Sequence, residues 1–103
     1  MNNNIEQIAV IKEELGKLEK ELETITVEGT DDNNIITAIV SGKGKIMDYK
    51  FNFGEMVGLN KDTLIRAVVN ASNNGLQAAE KLKITRKKEI IGDVNIPDMP
   101  GLF

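Results

Sequence analysis

Apolar residues at Ile8, Ile11, Leu15, Leu18, Leu22 and Ile25 recur in steps of three and four. This spacing is a narrow helical seam of coiled-coil type, and it predicts a helix from Ile5 to about Thr24. Glu13 stands four residues before Lys17, where a helix brings the two together on its solvent face. Gly16 costs that helix roughly 1 kcal/mol relative to alanine. A seam this narrow needs a partner helix to bury it.

The period changes after Glu23. Thr24-Ile25-Thr26-Val27-Glu28 alternates and is rich in β-branched residues, Gly29 to Asn34 reads as a turn cluster, and Ile35 to Ser41 reads as a buried strand. Gly42-Lys43-Gly44 supplies a tight reversal. Beyond it Met47, Tyr49, Phe51 and Phe53 alternate with Asp48, Lys50 and Asn52, so a third strand is predicted with one apolar and one solvated face. A stripe of this period is expected in the core, not as a base-stacking platform. Asp31-Asp32-Asn33-Asn34 lacks the ligand spacing and closing Glu of a calcium loop and is expected to be a turn.

After Gly58, Asn60 suits an N-cap and Asp62 the first turn of a second helix. Leu64, Ile65, Val68, Val69, Ser72, Leu76, Ala79 and Leu82 keep helical spacing across Asn73-Asn74-Gly75. The phase is preserved through that segment, so a continuous helix is expected, with Gly75 permitting close approach of another backbone. Gly92 and Asp93 end it. The chain closes on NIPDMPGLF, with both prolines and an apolar Leu102-Phe103 pair, which excludes regular helix or sheet there. Such a tail either covers an apolar groove beside the helices or engages another protein, with transient contacts expected.

The reading is thus α+β and a single domain: a helical arm over 1–24, a three-stranded antiparallel meander over 25–53, a long helix over 60–91 and an irregular apolar tail over 92–103. With 103 residues the apolar seam and small meander are covered poorly by one protomer, so a homodimer is expected. No apolar run reaches the roughly 18 to 20 residues of a membrane span, and the start has no signal-peptide pattern, so a cytoplasmic protein without a membrane partner is expected.

Candidate chemistry is sparse. The chain has no Cys and no His, which removes thiolate and imidazole catalysis, disulfides and the usual zinc and copper ligand sets. Ser41 and Ser72 lie in no nucleophile-elbow pattern. No enzyme, no cofactor, no metal site and no small-molecule substrate are expected. The net charge of −3 argues against nucleic acid only until its distribution is considered. Residues 1–28 hold three lysines against seven glutamates, whereas 81–88 hold Lys81, Lys83, Arg86, Lys87 and Lys88 with no acid. These five bases are candidate phosphate contacts; a solvated helix end, where bases complement the dipole, is the other reading.

The order of elements, with Thr26-Val27-Glu28-Gly29, Ile39-Val40-Ser41-Gly42, Tyr49-Lys50-Phe51-Asn52, Val69-Asn70-Ala71-Ser72-Asn73-Asn74 and Met99-Pro100-Gly101-Leu102-Phe103, resembles the YbaB/EbfC family of bacterial nucleoid-associated proteins over essentially the whole chain. Phe53 and Gly75 depart from the family pattern. The resemblance implies a tweezer-like homodimer, with the meanders as its body and the helices as paired arms that bind duplex DNA. It turns the basic run toward phosphate contact and implies a nucleoid-associated location, with effects on nucleoid organisation and gene expression. No recognition helix with base-reading Arg, Asn or Gln is evident, so little sequence discrimination is expected. The alternative is a protein-interaction module acting through its coiled-coil seam and apolar tail.

Overall fold

The computed structural model describes residues 3–92. Helix α1 (Asn3–Thr24) leads into strands β1 (Thr26–Thr30), β2 (Ile36–Ser41) and β3 (Ile46–Phe51), then a one-turn helix α2 (Phe53–Met56) and the long helix α3 (Lys61–Ile91). The sheet is an antiparallel meander in the order β1-β2-β3. The tail over 93–103 lies outside the described residues.

The core forms where α3 crosses β1 and β2. Ile36, Ala38 and Val40 on β2 face Ala67, Ala71 and Ala79 of α3, all buried. Small residues at this crossing let the helix backbone approach the strand backbone. A Cβ on Gly29 would sit 1.9 Å from the Gly75 nitrogen, and one on Gly75 would meet Val40 Cγ2 at 2.6 Å. Asn74 Nδ2 donates to the Thr30 carbonyl at 2.8 Å, and Tyr49 Oη shares a 2.6 Å hydrogen bond with Ser72 Oγ. These contacts keep α3 continuous through Asn73-Asn74-Gly75, as the unbroken phase predicts.

Both ends of α3 are capped. Asn60 Oδ1 accepts from the Thr63 amide at 2.8 Å, and Gly92, at φ 70°, donates its amide to the Lys88 carbonyl at 2.7 Å. The acidic turn is built around buried Asp31. Its Oδ1 accepts from the Ile35 and Ile36 amides at 2.8 and 2.7 Å, and its Oδ2 accepts from the Asn33 amide at 3.1 Å. The carboxylate therefore serves the backbone of the turn.

Two expectations are corrected. Gly29 and Thr30 belong to β1, not to the turn, because Gly29 pairs with Ala38 and lies beneath Gly75. The apolar stripe of β3 is not core: only Tyr49 is half-buried, while Met47, Phe51 and Phe53 are 54%, 44% and 76% exposed. Three features explain this. β3 is an edge strand, and α3 lies over the other two. Met47 is an extra residue between Ile46, opposite Val40, and Asp48, opposite Ile39, so the alternation is broken by a bulge. The strand ends at Phe51, and Phe53 opens α2.

α1 and α3 form an antiparallel pair. Leu15, Leu18 and Leu22 of the α1 seam are buried, and Leu22 also packs on Gly42 at the β2–β3 turn. At roughly 1.5 Å per residue α3 is about 46 Å long, too long for the sheet to support alone. The protein accordingly extends 68 Å by 22 by 19 Å, with a radius of gyration of 18.3 Å where a compact domain of this length has about 13 Å.

The crossing makes opposite predictions for two glycines. Gly29→Ala forces backbone apart and is expected to destabilise by at least about 2 kcal/mol in denaturant unfolding. Gly16→Ala adds a methyl to an exposed helix position with nothing within 4 Å and is expected to stabilise by about 0.5 to 1 kcal/mol. A Gly29→Ala protein as stable as the parent would contradict the tight crossing.

Candidate nucleic-acid interface

The five bases of the 81–88 run lie in the last third of α3 and separate onto two sides of it. Lys81 and Lys88 are exposed, whereas Lys83, Arg86 and Lys87 are half-buried. Seven residues nearly complete two helical turns, which puts Lys81 and Lys88 on one stripe of the helix.

Arg86 is held by α1. Its Nη2 donates to Glu21 Oε2 at 2.6 Å, and its Nε lies 3.6 Å from Glu89 Oε2. A short charge-assisted bond between two helices fixes their register, although partial exposure limits its worth. Lys83 and Lys87 are also engaged in polar or ionic interactions. Nearby, Lys43 Nζ donates to Glu19 Oε1 at 2.7 Å. That hydrogen bond, with the Lys43 charge behind it, lowers the Glu19 pKa below the usual carboxylate range, and the Lys83 charge adds a smaller push. The same bond raises the Lys43 pKa. Glu21 and Glu19 of α1 thus partly neutralise Arg86 and Lys83 of α3 and draw the two helices together.

The outer stripe is different. Continuing from Lys88 and Lys81 toward the body, it contains Gln77, Asn73, Asn70 and Arg66, at spacings of seven, four, four, three and four. All six are exposed. The stripe contains no acid, with Glu80 and Asp62 at its border, and runs about 33 Å from Arg66 to Lys88. It lies opposite the Ala67-Ala71-Gly75-Ala79 face that packs on the sheet, so burial of one face dictates the exposure of the other.

Sequence reasoning names Lys81 and Lys88 among its five candidates and does not name Arg66, Asn70, Asn73 and Gln77, which the folded helix aligns with them. It sees no Arg, Asn or Gln at readable spacing, but the folded helix aligns four of them. The signal is present as the complement of the small-residue face: once Ala67, Ala71, Gly75 and Ala79 are assigned to the core, the opposite stripe follows. Chemically, the stripe offers cationic groups for phosphate oxygens and amides able to donate and accept, while Ile84 interrupts it with an apolar side chain. Among the described residues no group of three or more Asp or Glu is placed to hold a metal ion, and no helix is long and apolar enough to cross a membrane.

The chain is 32% identical over 103 residues to a nucleoid-associated protein of Caldanaerobacter subterraneus subsp. tengcongensis, covering 100% of this chain and 90% of the relative. It is 29% identical over 103 residues to a nucleoid-associated protein of Bacillus thuringiensis, covering 100% of this chain and 93% of that one. The fold is shared with an uncharacterized protein of Helicobacter pylori, at a TM-score of 0.67 and 16% identity, over 82% of this chain and 89% of the other. The model of the YbaB/EbfC DNA-binding family matches residues 1–94, and the chain belongs to that family.

Proposed function

We propose that the protein binds duplex DNA as a homodimer, through the outer stripe of α3, with little sequence discrimination and a role in organising the nucleoid and its expression. The observation that carries this reading is an acid-free exposed stripe about 33 Å long on a chain of net charge −3. Lys81, Lys88 and Arg66 supply phosphate contacts. Lys83, Arg86 and Lys87 add positive potential from the inner side, where Arg86 also fixes the arm. The amides of Asn70, Asn73 and Gln77 hydrogen-bond to backbone or groove edges. A stripe with only two exposed lysines and one exposed arginine, on a chain that is acidic overall, gives modest and salt-sensitive affinity.

The β3 edge supports dimerisation. Ile46, Met47, Phe51, Phe53 and Val57 are exposed around a strand whose outer edge has no neighbour among the described residues. Open edges and apolar patches of this kind are covered in stable proteins. A second copy placed there joins two meanders into one body and leaves both α1–α3 pairs projecting as arms.

Two results follow. Sedimentation at micromolar concentration is expected to give twice the 11.3 kDa chain mass; a species of 11.3 kDa would overturn the dimer. Lys81→Ala with Lys88→Ala is expected to weaken binding several-fold and equally across duplex sequences. The log K against log salt slope should flatten by about 0.9 for each phosphate that the variant leaves unneutralised. Unchanged affinity and slope in a folded double variant would remove these lysines from the interface. A folded dimer that is not retained on duplex even at low salt would favour the protein-interaction reading instead.

A further inference from the structure

Arg66, Lys81 and Lys88 are the cations of the outer stripe, and they are unevenly spaced along it. The first two are fifteen residues apart and the last two seven, which is about 23 and 11 Å along a straight helix. All three are exposed and, at about 100° of rotation per residue, fall within about 60° of one another around α3. Among the described residues none of them is in an ion pair, whereas Arg86 is held by Glu21. The row therefore presents three cations on one line, with Asn70, Asn73 and Gln77 inside the long interval and Ile84 inside the short one.

B-form DNA presents the same two intervals. A line drawn along the duplex, parallel to its axis, crosses the two phosphate backbones alternately, once over the major groove and once over the minor groove in each turn. One turn is about 34 Å and the grooves are about 12 and 6 Å wide, so the turn divides two to one, into steps of about 23 and 11 Å. Arg66 to Lys88 covers about one whole turn, and Lys81 divides it in the same proportion.

We propose that α3 lies along the axis of B-form DNA and that Arg66, Lys81 and Lys88 meet three successive phosphate ridges, a seating that rests on the proposed role of the stripe in binding duplex. Asn70, Asn73 and Gln77 then stand over the mouth of the major groove and Ile84 over that of the minor groove. An axial helix crosses the grooves without entering them, so its contacts follow the form of the duplex and not the base sequence. Seating α3 lengthwise in the major groove is the poorer arrangement. It presents both flanks of the helix to phosphate, and one flank of α3 carries Asp62, Val69 and Glu80, all exposed. In the axial seating both acids lie to one side of the contact line.

Moving the middle cation at constant composition tests the spacing in the full-length protein. Gln77→Lys with Lys81→Gln makes the two intervals equal, at about 17 Å each, whereas Asn73→Lys with Lys81→Asn restores them in reverse order, at about 11 and 23 Å. All three positions are exposed, so both exchanges leave the packed face of α3 intact. Fluorescence anisotropy at one low salt concentration, with a DNA duplex of about two turns, compares the affinities. The first variant is expected to bind several-fold more weakly than the parent, and the second within about twofold of it. An RNA duplex of the same sequence, whose major groove is narrow and minor groove wide, is expected to bind the parent several-fold more weakly than the DNA. Equal affinity of all three proteins for DNA would overturn the axial seating, as would an equal loss in both variants or equal binding of RNA and DNA, while duplex binding by the stripe would stand. A parent that does not bind the DNA duplex at all would overturn the binding function itself, and the seating with it.

Discussion

The rest of the structure depends on how closely α3 lies on the sheet. Gly29 and Gly75 bring strand and helix backbones to a separation that no side chain tolerates, and Ala67, Ala71 and Ala79 extend the same tight face along the helix. Small residues bury little apolar area each, so this contact is won by close packing of backbone atoms. It also sets direction. Once the small-residue face of a 31-residue helix is pinned to β1 and β2, its far end must project past the sheet and its opposite face must look outward.

The arm and its outer face follow from those two consequences. The projecting end needs a second helix, and α1 supplies one through Leu15, Leu18 and Leu22, with Arg86 bound to Glu21 to set the register. The outward face is where Arg66, Asn70, Asn73, Gln77, Lys81 and Lys88 align. Acidic α1 and basic α3 therefore divide their charges: Arg86, turned inward, binds Glu21 of α1, and Lys81 and Lys88 stay exposed on the outer face. The net charge of −3 thus does not describe the acid-free outer stripe of α3.

Much of this was legible in the sequence where a period was long and unambiguous. The 3-4 seam located α1, the unbroken phase through Asn73-Asn74-Gly75 gave one helix, and Asn60 marked its start. Legibility failed where neighbours decide. Gly29 looks like a turn residue until Gly75 is placed above it, since a close approach between residues so distant in the chain leaves no local pattern. The β3 stripe alternates like a core strand, but its exposure depends on strand order and on a bulge at Met47. In the basic run, composition could not separate Arg86, committed to Glu21, from Lys81 and Lys88 on the outer face.

The central claim is that the outer stripe of α3 is the surface that meets DNA. Amide and side-chain NMR resonances followed during titration with a short duplex test it residue by residue. Shifts are expected at Arg66, Asn70, Asn73, Gln77, Lys81 and Lys88, with Glu28, Thr37 and Lys50 on the far face of the sheet unmoved. Perturbations concentrated on that far face or along β3, with the α3 stripe silent, would contradict the account.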